Sequence, residues 1–447
     1  MTSLETFIDA AIWHGGLDRA NALLTADPDL ARGSIFAAAV LGDDESVRRF
    51  LAEDSAAATA TAGPYGTTAL VYLCFSNYLR LDPARTPAFI RAATALLDAG
   101  ADPNAGFRST GEHPEFEAAI YGAAGVAKQP DLTRLLLERG ADPNDNETAY
   151  HAAETYNNAA MRVLVESGRL NHAGLATLLL RKTDWHDYQG IKWLLERGVD
   201  PGTITHWGKT ALHNAILSDN ALAIVELLLD HGADPLAIAT RPERGSPVLG
   251  HRTAVAMAAR RGRGDALDAF ARRGFSIEVQ GLERLLSACA RRDAAAAHAI
   301  AAAEPLIVTQ VQADGGRYLA WFAGVDNARG VGLLIDLGVP IDAPFVEGER
   351  YFDEAPNSLA IHVAAWRASH VTLRLLIARG SPIDLPDGNG RTPLMLAVRA
   401  CVDSYWAGRR SPESVKALLA AGASTAGVTI PSGYADVDDL LRRAPAS

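Results

Sequence analysis

The chain has 447 residues, 48% of them hydrophobic and 21% charged, with 42 basic against 53 acidic side chains and a formal net charge of −11. That apolar content excludes disorder as the main state, and the net acidity argues against a protein built to coat nucleic acid. At roughly 100–200 residues per domain the length implies two to four domains, unless the chain is a repeat array in which each module needs only its neighbours.

In chain order, the first residues carry neither a basic leader nor a long apolar run. The most apolar stretch, 294–308, is broken by His298, Glu304 and Pro305, so no membrane span or membrane partner is expected. Cys74, Cys289 and Cys401 lie too far apart for a zinc motif or a disulfide framework. A reducing, cytoplasmic location is the expectation. The basic residues include only five lysines, an arginine bias that points to a GC-rich bacterial genome.

One phrase recurs. Leu96-Leu97-Asp98-Ala99-Gly100-Ala101-Asp102-Pro103-Asn104 returns as Leu136-Leu137-Glu138-Arg139-Gly140-Ala141-Asp142-Pro143-Asn144, and again around Gly198 and Gly232. Weaker echoes surround Gly338, Gly380 and Gly422. Two leucines close the apolar stripe of a helix, Gly caps it in the left-handed conformation, and Asp-Pro prevents its continuation. A second phrase precedes the first, most fully as Asp387-Gly388-Asn389-Gly390-Arg391-Thr392-Pro393-Leu394 and also as Trp207-Gly208-Lys209-Thr210-Ala211-Leu212-His213. Here Gly turns the chain, Thr caps a new helix and Pro takes its first position.

Together the two phrases resemble the ankyrin repeat, a β-turn finger followed by two antiparallel helices with a period near 33 residues. The resemblance implies an all-α solenoid of stacked helix pairs with β-turn or hairpin fingers. About twelve pairs are placed at 3–31, 33–59, 65–104, 113–144, 147–170, 172–202, 207–236, 251–278, 281–308, 316–342, 357–384 and 388–424. The array thus occupies 1–426, with two degenerate repeats at its start and two around 281–342, and 427–447 forms a C-terminal cap whose apolar side is Val437, Leu440 and Leu441. Such a stack is expected to curve and to present a concave groove. The runs 184–188 and 401–406 and the ending 431–437 also look like those of bacterial ankyrin proteins of unassigned role. His213 and His362 hold the place of the repeat's histidine, which the resemblance assigns to backbone hydrogen bonding.

Candidate chemistry is sparse. Gly208-Lys209-Thr210 lacks the upstream glycine of a phosphate loop and is explained by the repeat. Asp184, His186, Asp187 and Tyr188 put acid, imidazole and phenol within five residues, which is either an acid/base site or a polar helix connection. Cys401 is the thiol expected to be most accessible. Residues 241–292 hold eleven arginines, no lysine and five acids, either a docking face for an acidic partner or a solvated helix face. The segments 104–115, 236–252 and 341–357 are longer than a repeat needs, and the last alternates well enough to form a hairpin around Gly348.

Within the repeat pattern, groove-facing positions follow the paired small residues of the first helix. They are Phe75, Ser76, Glu154, Thr155, Leu217, Ser218, Arg260, Arg261, Trp366, Arg367 and Arg399, with Asp403 nearby. Trp366 beside Arg367 has the composition of a binding hot spot, or else Trp366 fills a gap in the stack. The expected function is protein or peptide binding in the groove, without metal or cofactor. The alternative is an enzyme or small-ligand receptor that uses the groove as a pocket, with Asp184, His186 and Tyr188 as catalytic candidates.

Overall fold

The computed structural model describes residues 2–110, 114–240, 252–404 and 406–444. Among them are 27 α-helices and four short strands. The molecule divides into two compact units, the first formed by 1–206 with 230–233 and the second by 207–229 with 234–447.

In the first unit the helices are α1 (Ser3–Ala11), α2 (Leu17–Ala26), α3 (Ile35–Leu41), α4 (Asp44–Glu53), α5 (Ala69–Cys74), α6 (Asn77–Leu81), α7 (Thr86–Asp98), α8 (Ala119–Tyr121), α9 (Pro130–Glu138), α10 (Asn146–Ala152), α11 (Ala159–Glu166), α12 (His172–Asp184) and α13 (Tyr188–Leu195). First helices stack on first helices, α3 on α5 and α10 on α12, while second helices stack alongside, α4 on α7 and α7 on α9. Alanines 37–39, 92 and 93 are fully buried in this stack, where a larger side chain would separate the layers. The Asp-Pro-Asn phrase acts between layers. Asn104 accepts from the Asp142 backbone N–H at 2.8 Å, and Asn144 does the same from Asn171 at 2.8 Å. The finger at 104–115 is an antiparallel pair, β3 (Gly106–Arg108) with β4 (Phe116–Ala118), following the smaller pair β1 (Thr61–Ala62) with β2 (Thr67–Thr68). Residues 111–113 of that finger lie outside the described residues. Helix α8 runs into a π-helical turn at Gly122–Val126, where a Cβ on Gly122 would come within 2.6 Å of the Phe75 ring.

The second unit contains α14 (Ala211–Leu217), α15 (Leu222–Asp230, its last residue assigned to the first unit), α16 (Ala254–Arg260), α17 (Gly264–Arg272), α18 (Leu282–Ala290), α19 (Ala294–Ala303), α20 (Pro305–Ala313), α21 (Gly315–Gly324), α22 (Ala328–Asp336), α23 (Ala360–Trp366), α24 (His370–Ala378), α25 (Pro393–Asp403), α26 (Glu413–Ala420) and α27 (Ala435–Arg443). Thr210, Thr253 and Thr392 cap α14, α16 and α25 through their hydroxyls, and Pro393 takes the first position of α25. His213 and His362 bond backbone as expected. Each Nδ1 accepts from the N–H that opens its helix, at 3.2 and 3.0 Å, and each Nε2 reaches a finger carbonyl, Ala237 at 3.1 Å and Leu385 at 2.8 Å. The capping glycines of the first phrase are left-handed, with φ of 98°, 100°, 80° and 95° at Gly100, Gly140, Gly198 and Gly232.

Three features differ from the sequence expectation. Pro305 opens an additional helix, α20, between α19 and α21, so this part of the stack carries three helices where a pair was expected. Between α5 and α7 the short α6 is likewise inserted. The hairpin at 341–357 turns at Arg350–Phe352 rather than at Gly348. Its arms pair at Phe345 with Ser358 and at Glu349 with Glu354, and Gly348 is needed within one arm, since a Cβ there would come within 2.4 Å of the Glu354 carbonyl. No single described helix is long and apolar enough to cross a membrane, and α19 and α20 are bent by 106° at their junction.

Candidate functional site

The sequence-selected positions separate by burial. Glu154, Thr155, Leu217 and Arg260 are partly exposed, and Arg399 and Asp403 are exposed. Phe75, Ser76, Ser218, Arg261, Trp366 and Arg367 are buried and do not offer a free surface. The correction has a local cause. Phe75, Ser218, Arg261 and Arg367 are C-caps of α5, α14, α16 and α23, where the chain reverses into the second helix and adjoining layers meet. Ser76 donates to the Val40 carbonyl at 2.6 Å, and Phe75 packs among Trp13, Phe107 and Tyr121. Trp366 donates from Nε1 to the Phe352 carbonyl at 2.6 Å, so it anchors the hairpin to the stack rather than waiting for a ligand. Cys401 is also buried, which raises its thiol pKa to about 11.

In the second unit those buried arginines belong to one ion network. Asp219 takes the left-handed position after α14 (φ 50°) and accepts from Arg261 at 3.1 and 2.7 Å in a bidentate pair, and from Arg367. Arg367 also donates to Glu354 at 2.5 Å, and Arg261 to both oxygens of Glu349 at 3.2 Å. Phe352 lies under both guanidinium groups, at 3.7 Å from Arg367 and 5.5 Å from Arg261. Burial opposes the charge of Asp219, but Arg261 and Arg367 outweigh it and hold the carboxyl below the ordinary range. Burial pushes Glu354 the other way, reinforced by Glu349 and only partly offset by Arg367. The ends of α14, α16 and α23 and the hairpin at 345–358 therefore meet at one point, although Asp219 and Arg367 are 148 residues apart.

Beside this network opens a cavity of about 630 Å³. Leu217, Met257, Trp321 and Phe345 provide apolar lining, Arg252, Arg260, Arg261 and Arg317 provide cations, and Glu347 and Glu349 stand on the hairpin side. Arg260 is fixed by Glu283 at 2.7 Å and the Tyr318 hydroxyl at 3.2 Å. Arg317 bonds Asp314 at 2.9 Å and Glu347 at 2.6 Å, and Trp321 donates to Glu349 at 3.0 Å. The ionisable lining is guanidinium and carboxylate, a set that holds charge in place and does not shuttle protons near neutral pH. The arginine-rich stretch 241–292 contributes Arg252, Arg260 and Arg261 here, while 241–251 lies outside the described residues.

The first unit carries a different polar cluster. His151 sits between Glu154 at 2.7 Å and Glu147 at 3.1 Å, with the Tyr121 ring 5.0 Å away. Burial disfavours the imidazolium, but the two carboxylates outweigh it and lift the pKa to about 9. Arg181 donates to Glu154 at 2.6 Å and pairs with Asp184. Asp184, one of the acid/base candidates, is thus held by a guanidinium. His186 takes the left-handed turn position (φ 50°), Tyr188 opens α13 and is exposed, and Asp187 caps that helix through the Gly190 N–H at 2.9 Å while pairing with the fully buried Lys182 at 3.0 Å. Tyr405, in the run 401–406, lies outside the described residues. Among the described residues no group of three or more His, Cys, Asp or Glu is arranged to hold a metal.

Sequence reasoning passed over Asp219, Glu349, Glu354 and Trp321. A signal existed for the first: acid at 219 and base at 261 and 367 occupy related turn positions in different repeats, where opposite charges would meet if the layers converge.

Residues 182–281 match the family model described as ankyrin repeats (3 copies). No curated protein matches the sequence. Among solved structures, the human ASB11 ankyrin repeat domain is similar at 19% identity, over 61% of this chain and 96% of that one, with a TM-score of 0.26. The described residues are mostly helical, residues 182–281 carry the ankyrin match, and ankyrin repeats are in general protein-interaction scaffolds.

Proposed function

We propose that this protein is a cytoplasmic ankyrin scaffold of about twelve repeats that binds a protein or peptide on the concave, first-helix side of its stack. The observation that supports this most is the cavity of about 630 Å³ in the second unit, within the usual size range of a specific binding pocket. Its lining pairs an apolar floor with fixed arginines, the side-chain types that dominate recognition of a polar peptide. The enzyme reading has less support, because the cavity's charged groups are arginines and carboxylates bonded to one another.

A photo-crosslinking residue placed at Leu217, which lines the cavity, tests this in the native cell. A discrete protein adduct is expected there and not from Leu306, which is exposed and does not line the cavity. Equal adduct patterns from both positions would overturn the proposal.

A further inference from the structure

The lining of the second unit's cavity is specific enough to name a ligand chemistry, and this inference rests on the scaffold reading above. Its lining holds four arginines and two glutamates, and Glu283, Asp314 and Asp219 also pair with those arginines, so the question is which guanidinium keeps a free donor. Arg261 is consumed by the buried network, its three guanidinium nitrogens being engaged by Asp219 and Glu349. Arg260 is not. Glu283 takes its Nε and Tyr318 its Nη1, which fixes the guanidinium plane and leaves Nη2, on a residue that lines the cavity, without a hydrogen bond among the described residues. Arg317 is met from the hairpin by Glu347, whose side chain is 61% exposed. The same lining holds Leu217, Met257, Trp321 and Phe345, which suit an apolar side chain of one or two residues.

We infer that this cavity binds a peptide carboxylate with an adjacent apolar side chain, the carboxylate lying on Arg260 and Arg317 and the apolar group against Trp321, Met257 and Leu217. Glu347 then acts as a resident substitute for the ligand: it occupies Arg317 in the unliganded protein and gives way when a better-placed carboxylate arrives. Guanidinium groups oriented beforehand by carboxylate and phenol partners lose little freedom on binding, which favours recognition of a planar anion. The carboxylate has two possible sources, the free C-terminus of a peptide or a Glu or Asp side group within one, and both present the same planar acceptor.

Fluorescein-labelled hexapeptide pools separate them. One pool has a free C-terminus and no other acid, a second is C-terminally amidated with one fixed Glu, a third is amidated and acid-free, and a fourth is the third with one phosphoserine. Binding is followed by anisotropy on the full-length protein. Saturable binding of the first or second pool, at least tenfold tighter than the third, is expected, and the stronger of the two identifies the source. Arg260→Gln should weaken it by tenfold or more, and Arg260→Lys by less, with circular dichroism melts confirming that both variants fold. Glu347→Gln should tighten it about twofold to fivefold. Preference for the phosphoserine pool, or equal binding by wild type and Arg260→Gln, overturns the site. If the acid-free pool binds as tightly and Arg260→Gln is silent, the carboxylate site falls while the scaffold reading stands. If no pool binds, the carboxylate site falls, and the scaffold reading is decided by the crosslinking at Leu217.

Discussion

The two units use charge in opposite ways. In the first, His151, Glu147 and Glu154 are neighbours on and just after a single helix, and Arg181 joins them from the next layer. In the second, Asp219, Arg261, Arg367, Glu349 and Glu354 come from distant parts of the sequence and are largely withdrawn from water. A local cluster adjusts a surface, whereas a long-range one fixes where elements must meet. Buried ion pairs are weak evidence of net stabilisation, since desolvation offsets the attraction, but removing one partner leaves an uncompensated charge.

The largest effect should follow from that asymmetry. Asp219→Ala strands Arg261 and Arg367 and is expected to cost about 3–5 kcal/mol. Hydrogen exchange should show the loss in α14, α16, α23 and the hairpin, and a variant that melts like wild type would show that the network does not fix this meeting point. Trp366→Ala should also cost about 3–5 kcal/mol, because it empties a buried site and removes the bond to Phe352. Denaturant titration measures it, and a cost under about 1 kcal/mol would restore Trp366 as a surface anchor.

Gly232→Val tests the repeat itself rather than either charge cluster. Nothing lies within 4 Å of a Cβ built there, so the expected loss of about 1–2 kcal/mol comes from the left-handed backbone alone. The first unit's cluster should reveal itself through pH. The folded pKa of His151, about 9, lies above the ordinary imidazole value of 6.5, so its stabilisation is complete below about pH 6.5 and is lost as pH rises through about 9. After screening by solvent the effect is on the order of 1 kcal/mol. His151→Gln should flatten the melting temperature between pH 7 and 9, and an unchanged slope would remove His151 from the account. The smallest effect is a gain. Arg292 is exposed and left-handed (φ 65°), so Arg292→Gly should stabilise by up to about 1 kcal/mol, offset by the loss of its 3.7 Å contact with Asp268. A destabilised variant in the same melts would mean that the arginine contributes more than its strained backbone costs.

What is legible in the sequence is local and periodic. Thr392-Pro393 starts a helix and Gly232 ends one because capping depends on the backbone of adjacent residues. The buried alanines and the histidine positions follow from the same phase. Less legible is the inserted α20. Pro305 reads as a break in an apolar stretch, yet proline is as suited to the first turn of a new helix as to ending an old one.

Helix starts, helix ends and their caps are written locally, since each is decided within a few residues by turn chemistry and apolar spacing. Which polar positions end up exposed is set by the packing of the layers. Arg260 and Arg261 are adjacent in sequence and both border the cavity, yet Arg260 is partly exposed while Arg261 is buried against Asp219. That choice depends on how successive layers converge, which brings Asp219 to Arg367 across 148 residues. A repeat pattern fixes each layer but not the sum of many small rotations between layers, and the ion network exists only where that sum brings the turns together.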